Sequence, residues 1–141
     1  MNLKSFVCAS VLASGLLLSN SAFARNGSET HPQPICFARG AISKIVTVYL
    51  SPRADDAYFS VAVGAGQRMS IKVTPVNSHQ GIVPALEVTS PSGHAAGADA
   101  PKARRFDTLK TQAGTYLIRV APNLMASNGQ TGTFRLKVWV R

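Results

Sequence analysis

The 141-residue chain has two cysteines, three histidines and six acidic residues, and no apolar run as long as a membrane-spanning helix. Two cysteines exclude a disulfide-dense scaffold. The three histidines, His31, His79 and His94, are too widely spaced to form a zinc pair. The acids are Glu29, Asp55, Asp56, Glu87, Asp99 and Asp107, and they present no paired-carboxylate motif. Asp55-Asp56 is the one place where oxygen ligands for calcium come to mind, but no Asp-rich loop surrounds it and a turn is the simpler reading. These absences predict a protein that is not an enzyme, with no metal and no cofactor. No segment has helical periodicity, and eight prolines and eleven glycines argue against a helical bundle.

What is present is basic charge and short apolar alternation. Lys and Arg total 15, the formal net charge is +9, and 45% of residues are hydrophobic, enough to build a core in one domain. Residues 1–24 read as a signal peptide: Lys4 in a positive start, the 13-residue apolar run Phe6 to Leu18, and small residues Ala22 and Ala24 before a cleavage site. The expected location is periplasmic or secreted, with no transmembrane segment. Loss of Lys4 leaves a mature charge of +8. Cys36 then has no intramolecular partner, and its flanks Ile35 and Phe37 favour a buried thiol over a link between two chains.

Residues 25–34, with Gly27, Pro32 and Pro34, read as a flexible tether, and residues 35–141 as the folded domain. Ile42 to Leu50 reads as a strand with a bulge or two buried sides. Phe59, Val61 and Val63, then Met69, Ile71 and Val73, alternate on either side of Gly64-Ala65-Gly66-Gln67, the pattern of a hairpin. Leu86 and Val88 lead into the turn Ser90-Pro91-Ser92-Gly93. Short strands at Phe106 to Leu109 and Tyr116 to Val120 precede an uncharged loop, Pro122 to Gly132. The final strand puts Phe134, Leu136, Val138 and Val140 on one face. The expectation is an all-β, two-sheet antiparallel sandwich of about seven or eight strands, jelly-roll-like.

The opposite face of that final strand carries Arg135, Lys137, Trp139 and Arg141, a cationic stripe with an aromatic that suits an anionic glycan or another envelope component. Protection of an exposed sheet edge by charge is the structural alternative. Lys102, Arg104 and Arg105 form a second basic cluster. Nucleic acid is not expected as a partner, because no recognised binding module is present.

Two stretches carry a family resemblance. Tyr58-Phe59-Ser60-Val61 through Gly66-Gln67-Arg68-Met69-Ser70-Ile71, with Pro91-Ser92-Gly93 and Ala113-Gly114-Thr115-Tyr116-Leu117-Ile118-Arg119-Val120, resembles the bacterial pre-peptidase C-terminal domain, a small β-sandwich. The same stretches, with Phe37-Ala38-Arg39-Gly40-Ala41 and the strand ending at Arg141, resemble the periplasmic inhibitors of goose-type lysozyme. The resemblance implies a protein that binds a goose-type lysozyme and blocks its active-site cleft. Several lysozyme-inhibitor families place a Ser-Gly-x-Tyr or Ser-Gly-x-x-Tyr loop in that cleft, and the matching positions are Ala113, Gly114, Thr115 and Tyr116, with alanine in the serine's place. On this reading Gly114 and Tyr116 shape the loop, Thr115 offers a donor, and Arg119 or the Arg104-Arg105 pair answers the enzyme's acid. The pre-peptidase likeness leaves open a purely structural turn, with Gly114 in an unusual backbone conformation and Tyr116 capping the core. The corresponding alternative function is a non-catalytic module that binds an anionic envelope glycan or protein.

Overall fold

The structure, a computed structural model, describes residues 26–50, 56–77, 83–96, 104–108, 110–123 and 132–141. The signal segment with its cleavage site, Asp55, His79, Asp99, Lys102, Leu109 and most of the uncharged loop lie outside the described residues.

Eight strands make two four-stranded sheets: β1 (Gln33–Pro34), β2 (Ser43–Leu50), β3 (Ala57–Val63), β4 (Met69–Pro75), β5 (Pro84–Thr89), β6 (Arg105–Thr108), β7 (Gly114–Pro122) and β8 (Gly132–Val140). Sheet A has the order β1-β3-β7-β5 and sheet B the order β2-β8-β4-β6. The odd strands thus form one sheet and the even strands the other. All pairings are antiparallel except the short β1–β3 pair.

Alternation explains the layers. Phe59, Val61, Tyr116, Ile118, Val120, Leu86 and Val88 of sheet A meet Val48, Leu50, Met69, Ile71, Val73, Phe106, Phe134, Leu136 and Val138 of sheet B in one core. Most lie one pleat away from polar or small neighbours that face outward, as a half-buried strand requires; Leu117 and Tyr49 are larger outward-facing neighbours. The described residues contain no helix long and apolar enough to cross a membrane.

The structure corrects three local expectations. First, β3 and β4 are not a hairpin. Although only the turn Gly64 to Arg68 separates them, β3 pairs with β1 and β7 while β4 pairs with β6 and β8. Alternation within a strand does not identify the sheet it joins, and here the turn carries the chain over the core from one layer to the other. Second, β2 has no bulge: its register with β8 runs unbroken from Ser43↔Trp139 to Leu50↔Gly132. Its second apolar face is not buried either, since Ile45 is 53% and Tyr49 46% exposed on the outside of an edge strand. Third, Cys36 is half-buried, where a fully buried side chain was expected. It follows buried Ile35 in the irregular segment after β1.

The segment read as a tether contributes β1 and a bridge from Gly27 to Tyr58. Gly27 is needed there, because a Cβ would collide with the backbone of Gln33 and Tyr58. Pro34 lies on a sheet edge, where its missing N–H costs nothing.

Candidate functional site

Strand direction gathers five separate segments at one end of the sandwich. Val63 is opposite Gly114, Met69 is opposite both Thr108 and Val140, and Ser43 is opposite Trp139. The approach to β2 (36–42), the β3–β4 turn (64–68), the turn after β5 (90–95), the approach to β7 (110–114) and Arg141 therefore share that end. Ala113, Gly114 and Thr115 are exposed there.

The candidate loop is held rigidly. Thr111 is the one buried polar residue among the described residues. Its hydroxyl donates to the Gly64 carbonyl at 2.6 Å and accepts from the Gln67 amide at 3.0 Å. Its own amide donates to the Gln67 carbonyl, and its carbonyl accepts from Gly66, both at 2.8 Å. These four bonds rivet the approach to β7 onto the β3–β4 turn, with every polar group of Thr111 satisfied.

Tyr116 sits beneath this loop rather than on it. Its ring is buried, and its hydroxyl accepts from the Gln112 amide at 3.0 Å, so the aromatic closes the core and ties the loop four residues upstream. Gly114 has φ +133° and lies against Pro91, whose Cβ would be 2.8 Å from any Cβ placed at Gly114. The Ser90-Pro91-Ser92-Gly93 turn, closed by the Gly93 amide donating to the Ser90 carbonyl at 2.9 Å, thereby packs beside the candidate loop. Ser92 brings an exposed hydroxyl there, and no spacing in the sequence links it to Ala113.

The basic residues assigned to this loop lie elsewhere. Arg119 is five residues beyond Gly114 along β7, about 17 Å at strand rise, on the outer face of sheet A. There Nη1 donates to Glu87 Oε2 at 2.6 Å and Nε to Asp56 Oδ2 at 2.7 Å. The bonds to Glu87 and then Asp56 raise the pKa of this guanidinium above its ordinary value. Asp56 is thus half of an ion pair with Arg119. Arg105, on the outer face of sheet B, is bound in two-pronged fashion by Asp107. Arg104 is exposed at the start of β6, away from the loop.

Other cations occupy the loop end: Arg39, Arg68, Lys110 and Arg141, all exposed. Arg68 and Arg141 are brought side by side by a pair of backbone hydrogen bonds, at 2.7 and 2.9 Å. No described acidic residue lies in these five segments. A groove of about 500 Å³ runs beside them between Phe37, Ile42, Val63, Gln67 and Arg141. The basic end comes from single residues in four segments, so no cluster in the sequence announced it.

Arg135, Lys137 and Trp139 do share the outer face of sheet B, but Arg141 lies past β8 in the loop-end groove. β8 is an interior strand with partners on both sides, so edge protection does not account for its charges. No cluster of three or more His, Cys, Asp or Glu able to hold a metal occurs among the described residues.

Neither a family model nor a curated protein matches the chain. Solved structures do. A periplasmic inhibitor of g-type lysozyme (PliG) from Aeromonas hydrophila aligns over 78% of this chain and 96% of its own, with TM-score 0.62 and 21% identity. The PliG of Salmonella Typhimurium aligns over 77% and 96%, with TM-score 0.55 and 10% identity. A mutant PliG from Escherichia coli aligns over 78% and 97%, with TM-score 0.55 and 14% identity. This chain is similar to them in fold over nearly their whole length.

Proposed function

We propose that this protein is a periplasmic inhibitor of g-type lysozyme, without chemistry of its own, that presses its loop end into the enzyme's active-site cleft. The observation that carries this reading is the near-complete overlap with three proteins described as periplasmic inhibitors of g-type lysozyme. The site agrees with it. Glycosidases work through carboxyl groups in a sugar-binding cleft, and a rigid, positively charged projection is complementary to such a cleft. The riveted Ala113 to Thr115 loop forms the projection, Arg68, Lys110 and Arg141 give it charge, and Thr115 with Ser92 supplies hydroxyl donors. Because Thr111, Gly114 and Tyr116 fix the loop before any encounter, little ordering cost remains on binding.

The test is a lysis assay. Residues 25–141 are titrated against goose-type and hen-type lysozymes on one bacterial cell-wall suspension. Stoichiometric loss of goose-type activity alone is the expected result. Undiminished lysis by both enzymes, with inhibitor well above micromolar, would overturn the reading.

A further inference from the structure

We propose that the outer face of sheet B is a second, separate binding site that takes a carboxylate-bearing glycan, the acidic group between Lys72 and Lys137 and a sugar ring against Trp139. The register makes the case. Across β6, β4 and β8 one row of directly opposed residues reads Arg105, Lys72, Lys137. Three cations therefore stand side by side on adjacent strands, an arrangement that costs stability in an unliganded sheet. Among the described residues, only Arg105 of the three has a counter-charge, from Asp107. Lys72 and Lys137 are exposed and belong to no ion pair formed among the described residues.

The next row reads Asp107, Ser70, Trp139. Trp139 is the chain's single tryptophan and is half-buried on this outward face. Together Ser70, Lys72, Arg105, Asp107, Lys137 and Trp139 line an open cleft of about 350 Å³, within the size range of small-ligand sites. Asp107 holds the Arg105 fork, and the two lysines provide positive charge that no described acid pairs.

An acidic sugar fits this combination better than a simple anion does. An anion alone needs the lysines and gains nothing from an indole. A neutral glycan needs the indole and leaves the cationic row unrelieved. A glycan carrying carboxylates uses both, and relief of the opposed charges adds to its binding.

Because Trp139 is the only tryptophan, intrinsic fluorescence reports on this cleft directly. The protein is titrated with trigalacturonate, maltotriose and inorganic phosphate at low ionic strength. Trigalacturonate is expected to give a saturable change that weakens with salt, while maltotriose gives none and phosphate binds at least tenfold more weakly. Lys72→Gln and Lys137→Gln should each weaken trigalacturonate about tenfold. Without ligand, Lys72→Gln should melt higher than wild type, because it removes the opposed charge. No response to trigalacturonate, or phosphate binding as tight as trigalacturonate binding, overturns the site. A Lys72→Gln protein that melts lower removes the like-charge premise. Lysozyme inhibition should be unchanged in both lysine variants, so this site and the loop end succeed or fail separately.

Discussion

Pro91 occupies the space that a side chain at Gly114 would need: its Cβ is 2.8 Å and its Cγ 3.1 Å from a Cβ built on that glycine. Gly114 also has φ +133°, which an L side chain rarely adopts. Gly114→Ala should therefore destabilise the domain by about 1–3 kcal/mol, read as a fall in thermal midpoint. Pro91→Gly, which removes both atoms, should recover the steric share, so the double variant will be less destabilised than the two single losses added together. Strict additivity would mean that the backbone conformation alone demands glycine.

Thr111 supports the same loop from the other side. Thr111→Val keeps the shape and removes the hydroxyl, leaving the Gly64 carbonyl and Gln67 amide without their partner. The expected cost is about 1–3 kcal/mol, with faster hydrogen exchange at Gln67. Thr111→Ser should restore most of it. Inhibition should follow the same order, because the loop loses its fixed geometry before the fold is lost.

The exposed cations of the loop end are a different kind of test, since they touch the partner and not the core. Arg68→Glu combined with Arg141→Glu should raise the concentration needed for half-inhibition of g-type lysozyme by about tenfold or more. The thermal midpoint should hardly move, because the two residues meet through backbone bonds that the substitutions leave in place. Reversing Arg119 should instead lower stability with little direct effect on inhibition, as it breaks the bonds to Asp56 and Glu87.

Acid should act on Asp107. Hydrogen bonds from Arg105 and then Ser70 hold its carboxyl below the ordinary value. A depressed carboxylate contributes stability that is fully present above its unfolded pKa and is lost as pH falls through its folded value. The difference in stability between wild type and Asp107→Asn should be present at neutral pH and shrink below about pH 4. It will be small, because the pair is well exposed. A difference that grows in acid would contradict the assignment.

Much of the sandwich was legible because burial writes itself into alternation. Phe134, Leu136, Val138 and Val140 marked β8 and its inward face, and Met69, Ile71 and Val73 did the same for β4. Partner choice was not legible. Gly64 to Gln67 looks like a hairpin turn whether the chain folds back within a sheet or crosses to the other. On β2, Ile45 and Tyr49 resemble core residues in composition, and only the edge position shows them outside. In the candidate site, Gly114 and Tyr116 stood out by residue type. The roles of Arg68, Lys110, Arg141 and Ser92 depend on which loops meet at one end, which a linear reading does not contain. The opposed Lys72 and Lys137 were invisible for the same reason.

The division of odd strands into one sheet and even strands into the other has a kinetic consequence. Among the described residues no strand pairs with its neighbour in sequence, so these strands offer no hairpin as a fast local nucleus. Every ladder must first close a loop that spans at least one whole intervening strand, and that entropy is spent before any pairing repays it. Folding should be slow for the chain's size, in the millisecond-to-second regime of strongly non-local β topologies. A chain that folds this slowly stays unfolded, and so able to thread a narrow pore, for longer than one built from local hairpins.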